Sequence, residues 1–182
     1  MLLLPSASDS DSRPLYHISV ELSCFSPASH ITVVRRGSSE NGLYVGEFQV
    51  GGPARLNRVI IGSVAHMLRR PLLAWDHNPA RSELPRLRWN FDGTILRWDP
   101  VVTTVQGKSR TFFKCLCPDP VKKKVLLPIA TFNPADPLLA TEGSRPMATL
   151  TVEKEGHSIL DHILITALML QQDTSESPAG SL

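Results

Sequence analysis

The segment near the C-terminal end of the chain is apolar on every side of the helix that it predicts. It runs from Ser158 to Leu170, and only four polar residues interrupt it. A helix that is apolar all round is normally buried. About a dozen residues is also shorter than the roughly 20 apolar residues that span a bilayer. We therefore expect this helix to be buried within protein, with Leu164 and Leu168 in the core.

The start of this helix has a capping signal. Ser158 and Asp161 have the spacing of a capping box, in which a hydroxyl and a carboxylate satisfy backbone N–H groups of the first turn. The sequence thus predicts a helix over about residues 158–172, with Gly156 ending the preceding strand. His162 has no second histidine four residues away, the spacing that helical metal sites use. We expect it to be a packed or hydrogen-bonded core residue.

Most of the chain before the helix alternates with a period of two, which predicts β-strands. Residues Tyr16 to Leu22 form a half-buried strand in this interpretation. Ser63 to Leu68 fits either a strand or a single helical turn. Pro128 implies an edge or a bulge in its strand, because proline lacks a backbone N–H. The other predicted strands are His30 to Arg36, Leu43 to Val50, Asn57 to Ile61, Thr111 to Cys117, Val125 to Phe132 and Met147 to Val152.

The clearest local signal is a hairpin around Asp92 and Gly93. Leu87, Trp89 and Phe91 alternate with polar residues before this pair, and Thr94 to Trp98 returns after it. Asp-Gly tolerates the positive φ values of a type I′ turn. One face of the hairpin should be apolar and inward, and the other basic and outward.

Length and composition are those of one compact domain. The 182 residues are 42% hydrophobic, the net charge is +2, and the three cysteines are an odd number. We expect free thiols in a reducing compartment, because Cys115 and Cys117 lie two apart on one strand and a bridge between them is strained. Residues 1–13 and 173–182 are rich in Ser, Pro and acidic residues, which predicts disordered tails around a domain at 14–172. The N-terminal residues do not have the pattern of a signal peptide or an anchor.

Motifs that carry chemistry are absent from the sequence. It has no phosphate-binding glycine loop and no nucleophile elbow, so we assign no catalytic, cofactor-binding or metal-binding residue. The predicted strands and the buried helix together suggest a β-barrel wrapped around its own C-terminal helix. An alternative function is a hydrolase or transferase that uses His66, Asp76 and His77 at the mouth of this barrel. A further alternative is a single-stranded nucleic-acid binder, which needs Trp89 and Trp98 to be exposed for base stacking.

The middle of the chain is basic. Residues 69–124 contain twelve Lys and Arg against five Asp and Glu, a net +7, and the rest of the chain carries −5. Most such excesses are the solvated outer face of strands. A functional alternative is a surface for an anionic ligand or lipid. Its candidate residues are Arg86, Arg88, Arg97, Lys122, Lys123 and Lys124.

Several segments follow one another in a specific order, of which the most specific are Ala148–Leu150 and Leu160–Leu168. Over about residues 15–172 this order resembles a fungal family of unknown function, common in mushroom-forming fungi. That family looks similar to the tubby C-terminal, scramblase and LURP-one-related barrels. The resemblance implies a closed antiparallel β-barrel of about twelve strands around the C-terminal helix. It offers no catalytic residues, and some tubby-like relatives bind phosphoinositides.

These observations together predict a non-enzymatic binding or scaffold domain. We expect it to be intracellular, in the cytoplasm, and to associate peripherally with anionic lipid or a membrane surface. The sequence does not indicate a cofactor, and its small net charge disfavours nucleic acid as a partner.

Overall fold

The chain is mainly β-strand, with one α-helix near its C-terminal end. A computed structural model describes residues 2–5, 13–23, 26–49, 58–67, 73–76, 86–105, 108–119, 121–122, 125–135 and 147–176. Contacts group the chain into two compact units, Met1–Arg69 and Arg70–Leu182. Each unit contains one antiparallel sheet.

The sheet of the first unit has the strand order β1-β2-β3-β4-β5-β6. Every strand therefore pairs with its neighbours in sequence, as short hairpin connections favour. The segment that fitted a strand or a helical turn is a strand, β6. Val34, Phe48 and Val59 are fully buried side chains of this sheet. The strands are β1 Leu2–Leu3, β2 Tyr16–Ser23, β3 Ser26–Arg36, β4 Tyr44–Gln49, β5 Arg58–Ile61 and β6 Val64–Met67.

The half-buried strand predicted from Tyr16 is buried only in its first part. Tyr16 and Ile18 are buried, whereas Val20 and Leu22 are 62% and 71% exposed. Strand β1 pairs only with Tyr16 and His17 at the start of β2. Polar and apolar residues alternate along the whole strand, so this pattern does not show which part of the strand is buried. The short β1 itself lies within residues 1–13, where the sequence predicted a disordered tail.

The sheet of the second unit has the strand order β12-β11-β10-β9-β8-β7. Its hairpin is the one predicted from sequence, because Asp92 and Gly93 have φ values of 47° and 78°. Positive φ at both central residues is the geometry of a type I′ turn. The strands are β7 Leu73–Asp76, β8 Arg86–Phe91, β9 Thr94–Val105, β10 Lys108–Pro118, β11 Leu126–Asn133 and β12 Thr149–Val152.

Pro128 lies at a β-bulge, as predicted. Strand β10 pairs Cys115 with Ala130 but Leu116 with Pro128, so Ile129 is the extra residue of β11. Strand β11 lies between β10 and β12, so a proline there is accommodated by a bulge rather than by a sheet edge.

The C-terminal helix starts and ends later than the sequence predicted. A 3₁₀ helix, Lys154–Ile159, leads directly into α1, Leu160–Glu176. The predicted capping role of Ser158 is therefore wrong, because this residue lies inside the 3₁₀ helix and not at the start of α1. Asp161 does lie in the first turn. The last turn of α1 extends into residues 173–182, which were predicted to be a disordered tail.

Gly156 belongs to the 3₁₀ helix and does not end the strand before it. Strand β12 ends at Val152. A Cβ atom on Gly156 would lie 2.8 Å from Cγ1 of Val152 and 2.9 Å from the backbone oxygen of Ile129. The glycine thus permits close packing of the 3₁₀ helix on β11 and β12.

Helix α1 is buried around its whole circumference in its central part. Five consecutive residues, Ile163 to Ala167, are all buried. Five residues cover more than one turn of 3.6 residues, so every side of this part of the helix is covered. The predicted core position Leu164 is confirmed, whereas Leu168 is only half-buried.

Two of the three cysteines lie in the described residues. Cys115 and Cys117 are free, as the sequence predicted, and Cys24 lies outside the described residues. Burial raises the pKa of both thiols, which disfavours the reactive thiolate form.

Candidate functional site

The outer surface of strands β8 to β10 carries the candidate basic residues. Leu87, Trp89 and Phe91 of β8 are buried, so Arg86 and Arg88 lie on the opposite side of the strand. This is the orientation predicted from the sequence alternation. We call the surface formed by Arg86, Arg88, Arg97 and Lys114 the basic face.

Two arginines of the basic face lie directly opposite each other. Strands β8 and β9 pair Arg88 with Arg97, on the side of the sheet away from buried Trp98. Directly opposed like charges destabilise a pair of strands. A nearby anion therefore stabilises this part of the sheet.

Asp99 supplies part of that negative charge. Its Oδ2 atom accepts a hydrogen bond of 2.7 Å from Nη2 of Arg97. Its Oδ1 atom lies 3.8 Å from Nε of Arg86, which is an ion-pair distance. Lys114 lies opposite Asp99 on β10. Arg86, Arg97 and Lys114 thus neighbour the carboxylate of Asp99. Asp76 of β7 lies opposite Arg86 in the strand register. Four cations against these two carboxylates leave the basic face with a positive excess.

A turn between β10 and β11 lies near the same end of the sheet as the Asp92–Gly93 turn. Leu116 pairs with Arg97, so β10 ends where β9 begins. Asp119 fixes this turn, because its Oδ1 atom accepts hydrogen bonds of 2.7 and 2.9 Å from the backbone N–H groups of Val121 and Lys122. Lys122 is exposed there, and Lys123 and Lys124 lie outside the described residues.

A shallow groove of about 350 Å³ lies beside the opposed arginines. Arg88, Arg97, Ile95 and Leu126 line it, together with parts of β8 and β9. Ile95 is half exposed, so an apolar wall adjoins the cations. The sequence did not predict this groove, because Leu126 comes to line it only when β9, β10 and β11 pair with one another.

The inner side of the hairpin holds the start of α1. Nε1 of Trp89 donates a hydrogen bond of 3.4 Å to Nδ1 of His162, and Phe91 packs edge-on against the imidazole at 5.7 Å. Desolvation lowers the pKa of His162, and the nearby carboxylates of Asp161 and Asp92 oppose that shift. His162 is therefore a packed, hydrogen-bonded residue, as the sequence predicted.

Comparison with known proteins assigns the chain to a family. The profile of a family of unknown function (DUF6593) matches residues 4–176. The chain belongs to this family. No curated protein and no solved structure matches it. The fungal and tubby-like parts of the resemblance stay predictions.

The structure describes only two of the three residues that the enzyme alternative requires in this DUF6593 chain. His66 lies in β6 and Asp76 in β7, and His77 lies outside the described residues. Within the same residues, His, Cys, Asp and Glu form no group of three that would hold a metal ion.

The nucleic-acid alternative required exposed indoles. Trp89 and Trp98 are almost completely buried, so neither ring is available for stacking with a base. The described helices also do not include one with the length and apolarity of a membrane span.

We expect the stability of the DUF6593 domain to fall as the pH drops below about 6.5, the ordinary pKa of histidine. The folded state disfavours protonation of His162, because its surroundings are desolvated and its Nδ1 accepts a hydrogen bond from Trp89. The unfolded chain therefore binds the proton more readily, and stability is lost as pH falls from 6.5 towards the lower folded pKa.

Urea unfolding of wild type and His162→Gln between pH 5 and 8 tests this expectation. The variant should show a flatter pH dependence, and the exposed control His157→Gln should keep the wild-type slope. An unchanged slope in His162→Gln would assign the pH dependence to other groups.

Proposed function

We propose that this DUF6593 domain is a non-enzymatic binding module that associates peripherally with an anionic lipid surface through its basic face. The observation that carries the proposal is the direct opposition of Arg88 and Arg97, flanked by Arg86 and Lys114 on the same side of the sheet. Each basic residue near an anionic membrane contributes about 1 kcal/mol of attraction. We expect four such residues, with Lys122 on the adjoining turn, to give measurable binding.

The closed barrel of about twelve strands is part of the same proposal. It is supported by the antiparallel order of both sheets and by the burial of the central part of α1 on all sides. A closed barrel removes open sheet edges and gives the basic face a rigid support. In this proposal the protein works inside the cell, where the cytoplasmic leaflet presents anionic lipids.

Co-sedimentation with vesicles tests the proposed function. We expect binding to phosphatidylserine-containing vesicles at low salt, weaker binding at physiological salt, and little binding to pure phosphatidylcholine vesicles. The double variant Arg88→Gln/Lys114→Gln removes two charges from the basic face. It should reduce binding to the anionic vesicles about tenfold or more.

The matched control is Arg13→Gln/Lys154→Gln, which removes the same net charge from exposed residues outside the basic face. This control should bind nearly as wild type does. Equal, negligible binding to both vesicle types at low salt would instead mean that the basic face is an ordinary solvated surface. An equal loss of vesicle binding in both double variants would mean that binding depends only on the net charge of the protein.

A further inference from the structure

We infer that the groove beside Arg88 and Arg97 binds a single-chain anionic amphiphile, with its phosphate or carboxylate on the arginines and its alkyl chain on Ile95 and Leu126. The inference rests on the proposed function in using the same basic face. It goes further by naming a small ligand and the residues that hold each part of it.

The anionic end is assigned by the hydrogen-bonding state of Arg97. Asp99 accepts from Nη2 of this guanidinium. Its Nε atom and the Oδ1 atom of Asp99 are both buried, and neither has a hydrogen-bond partner among the described residues. A buried donor without an acceptor is unfavourable. A ligand oxygen at this end of the groove would satisfy the donor and also relieve the repulsion between Arg88 and Arg97.

The apolar end is assigned by the side chains on the other wall. Ile95 is 50% exposed on a strand whose neighbouring residue Leu96 is buried. Leu126 is half-buried at the start of β11 and lines the same groove. An alkyl chain lying across both side chains would remove apolar surface from water, which favours binding.

The size of the groove selects a small ligand over a macromolecule. Its volume of about 350 Å³ is at the lower end of the roughly 300–1,000 Å³ typical of small-molecule sites. One headgroup and a short length of one chain fit this volume, whereas a folded protein partner would need a much wider surface.

Titration with octyl phosphate below its micelle concentration tests the inference directly. We expect saturable binding by calorimetry, with backbone amide shifts in NMR spectra centred on Asn90, Ile95, Arg97 and Leu126. Inorganic phosphate and octanol each supply only one half of the ligand and should bind at least tenfold more weakly. Shifts that map outside the groove, or equal affinity for octyl phosphate and inorganic phosphate, would overturn the inference.

Two variants separate the halves of the site. Arg88→Gln should weaken octyl phosphate binding about tenfold, and Leu126→Ser should weaken it several-fold while leaving the weak binding of inorganic phosphate unchanged. The control Arg110→Gln removes an exposed cation from the same strand as Lys114, outside the groove, and should bind as wild type does. Equal losses in Arg88→Gln and Arg110→Gln would also overturn the inference. The wild-type NMR map remains decisive if a variant fails to fold.

The vesicle experiment separates this inference from the proposed function. Binding to anionic vesicles without binding of octyl phosphate would reject the groove ligand and retain the membrane association. Binding of octyl phosphate without vesicle binding would retain the groove ligand and reject the membrane association.

Discussion

Leu164→Ala should lower the free energy of unfolding by about 2–5 kcal/mol, the usual cost of truncating a fully buried leucine. Leu164 is 2% exposed, within the part of α1 that is covered on every side. Neighbouring side chains there relax only partly around the lost isopropyl group, so a cavity remains and adds to the lost transfer free energy. Urea unfolding followed by tryptophan fluorescence measures the change.

Leu168→Ala is the matched control, because it removes the same atoms from the same helix at a half-buried position. It should cost distinctly less than Leu164→Ala. Removal of residues 158–182 should abolish the cooperative transition altogether. A truncated chain that still unfolds cooperatively would show that α1 is not a core element. Equal costs for the two leucines would contradict the difference in burial between their positions.

The hairpin and the bulge could be predicted from sequence because each depends on the chemistry of one or two residues. Asp92 and Gly93 tolerate positive φ, and Pro128 cannot donate to a neighbouring strand. The orientation of Arg86 and Arg88 followed from the same reasoning, since adjacent side chains of a strand point to opposite faces. Such local rules need no knowledge of the rest of the fold.

The start of α1 was mispredicted because the same residues fit two local structures, a capping box and a 3₁₀ helix. Ser158 and Asp161 have the spacing of a capping box, but the chain before α1 forms a 3₁₀ helix that continues into it. The close approach of Gly156 to Val152 and Ile129 accompanies this arrangement. Tertiary packing of this kind is not contained in the spacing of capping residues.

The candidate site was predicted in part. Its cations on β8 and β9 were assigned from sequence, whereas the Asp99 ion pairs and the groove depend on the register between strands. The shift at the bulge between Cys115 and Leu116 alters the alignment of β11 with β10. Without knowledge of that register, the sequence does not show that Leu126 and Arg97 line the same groove.

Contacts between α1 and the sheet of its own unit likewise could not be predicted from the sequence. Trp98 and Thr166 are 68 residues apart, yet Nε1 of the indole donates a hydrogen bond of 2.9 Å to the threonine Oγ1. The same hydroxyl lies 2.8 Å from the backbone oxygen of His162, to which it donates. One buried hydroxyl thus joins the helix backbone to a core strand.

Thr166→Val should therefore cost about 1–3 kcal/mol of unfolding free energy, because it leaves the buried indole N–H of Trp98 without an acceptor. Valine has nearly the shape of threonine and a similar helix propensity, so neither a cavity nor helix propensity accounts for such a loss. Thr166→Ser is the control, since it keeps the hydroxyl and gives up only a methyl group, worth about 0.8 kcal/mol.

A double-mutant cycle with Trp98→Phe isolates the hydrogen bond from these packing changes. Phenylalanine removes the N–H, so Thr166→Val should cost less in that background than in wild type, with a coupling of about 0.5–3 kcal/mol. Urea unfolding of the four proteins at neutral pH supplies the numbers. Strict additivity would mean that the indole and the hydroxyl stabilise the fold independently, and that packing alone holds α1 against β9.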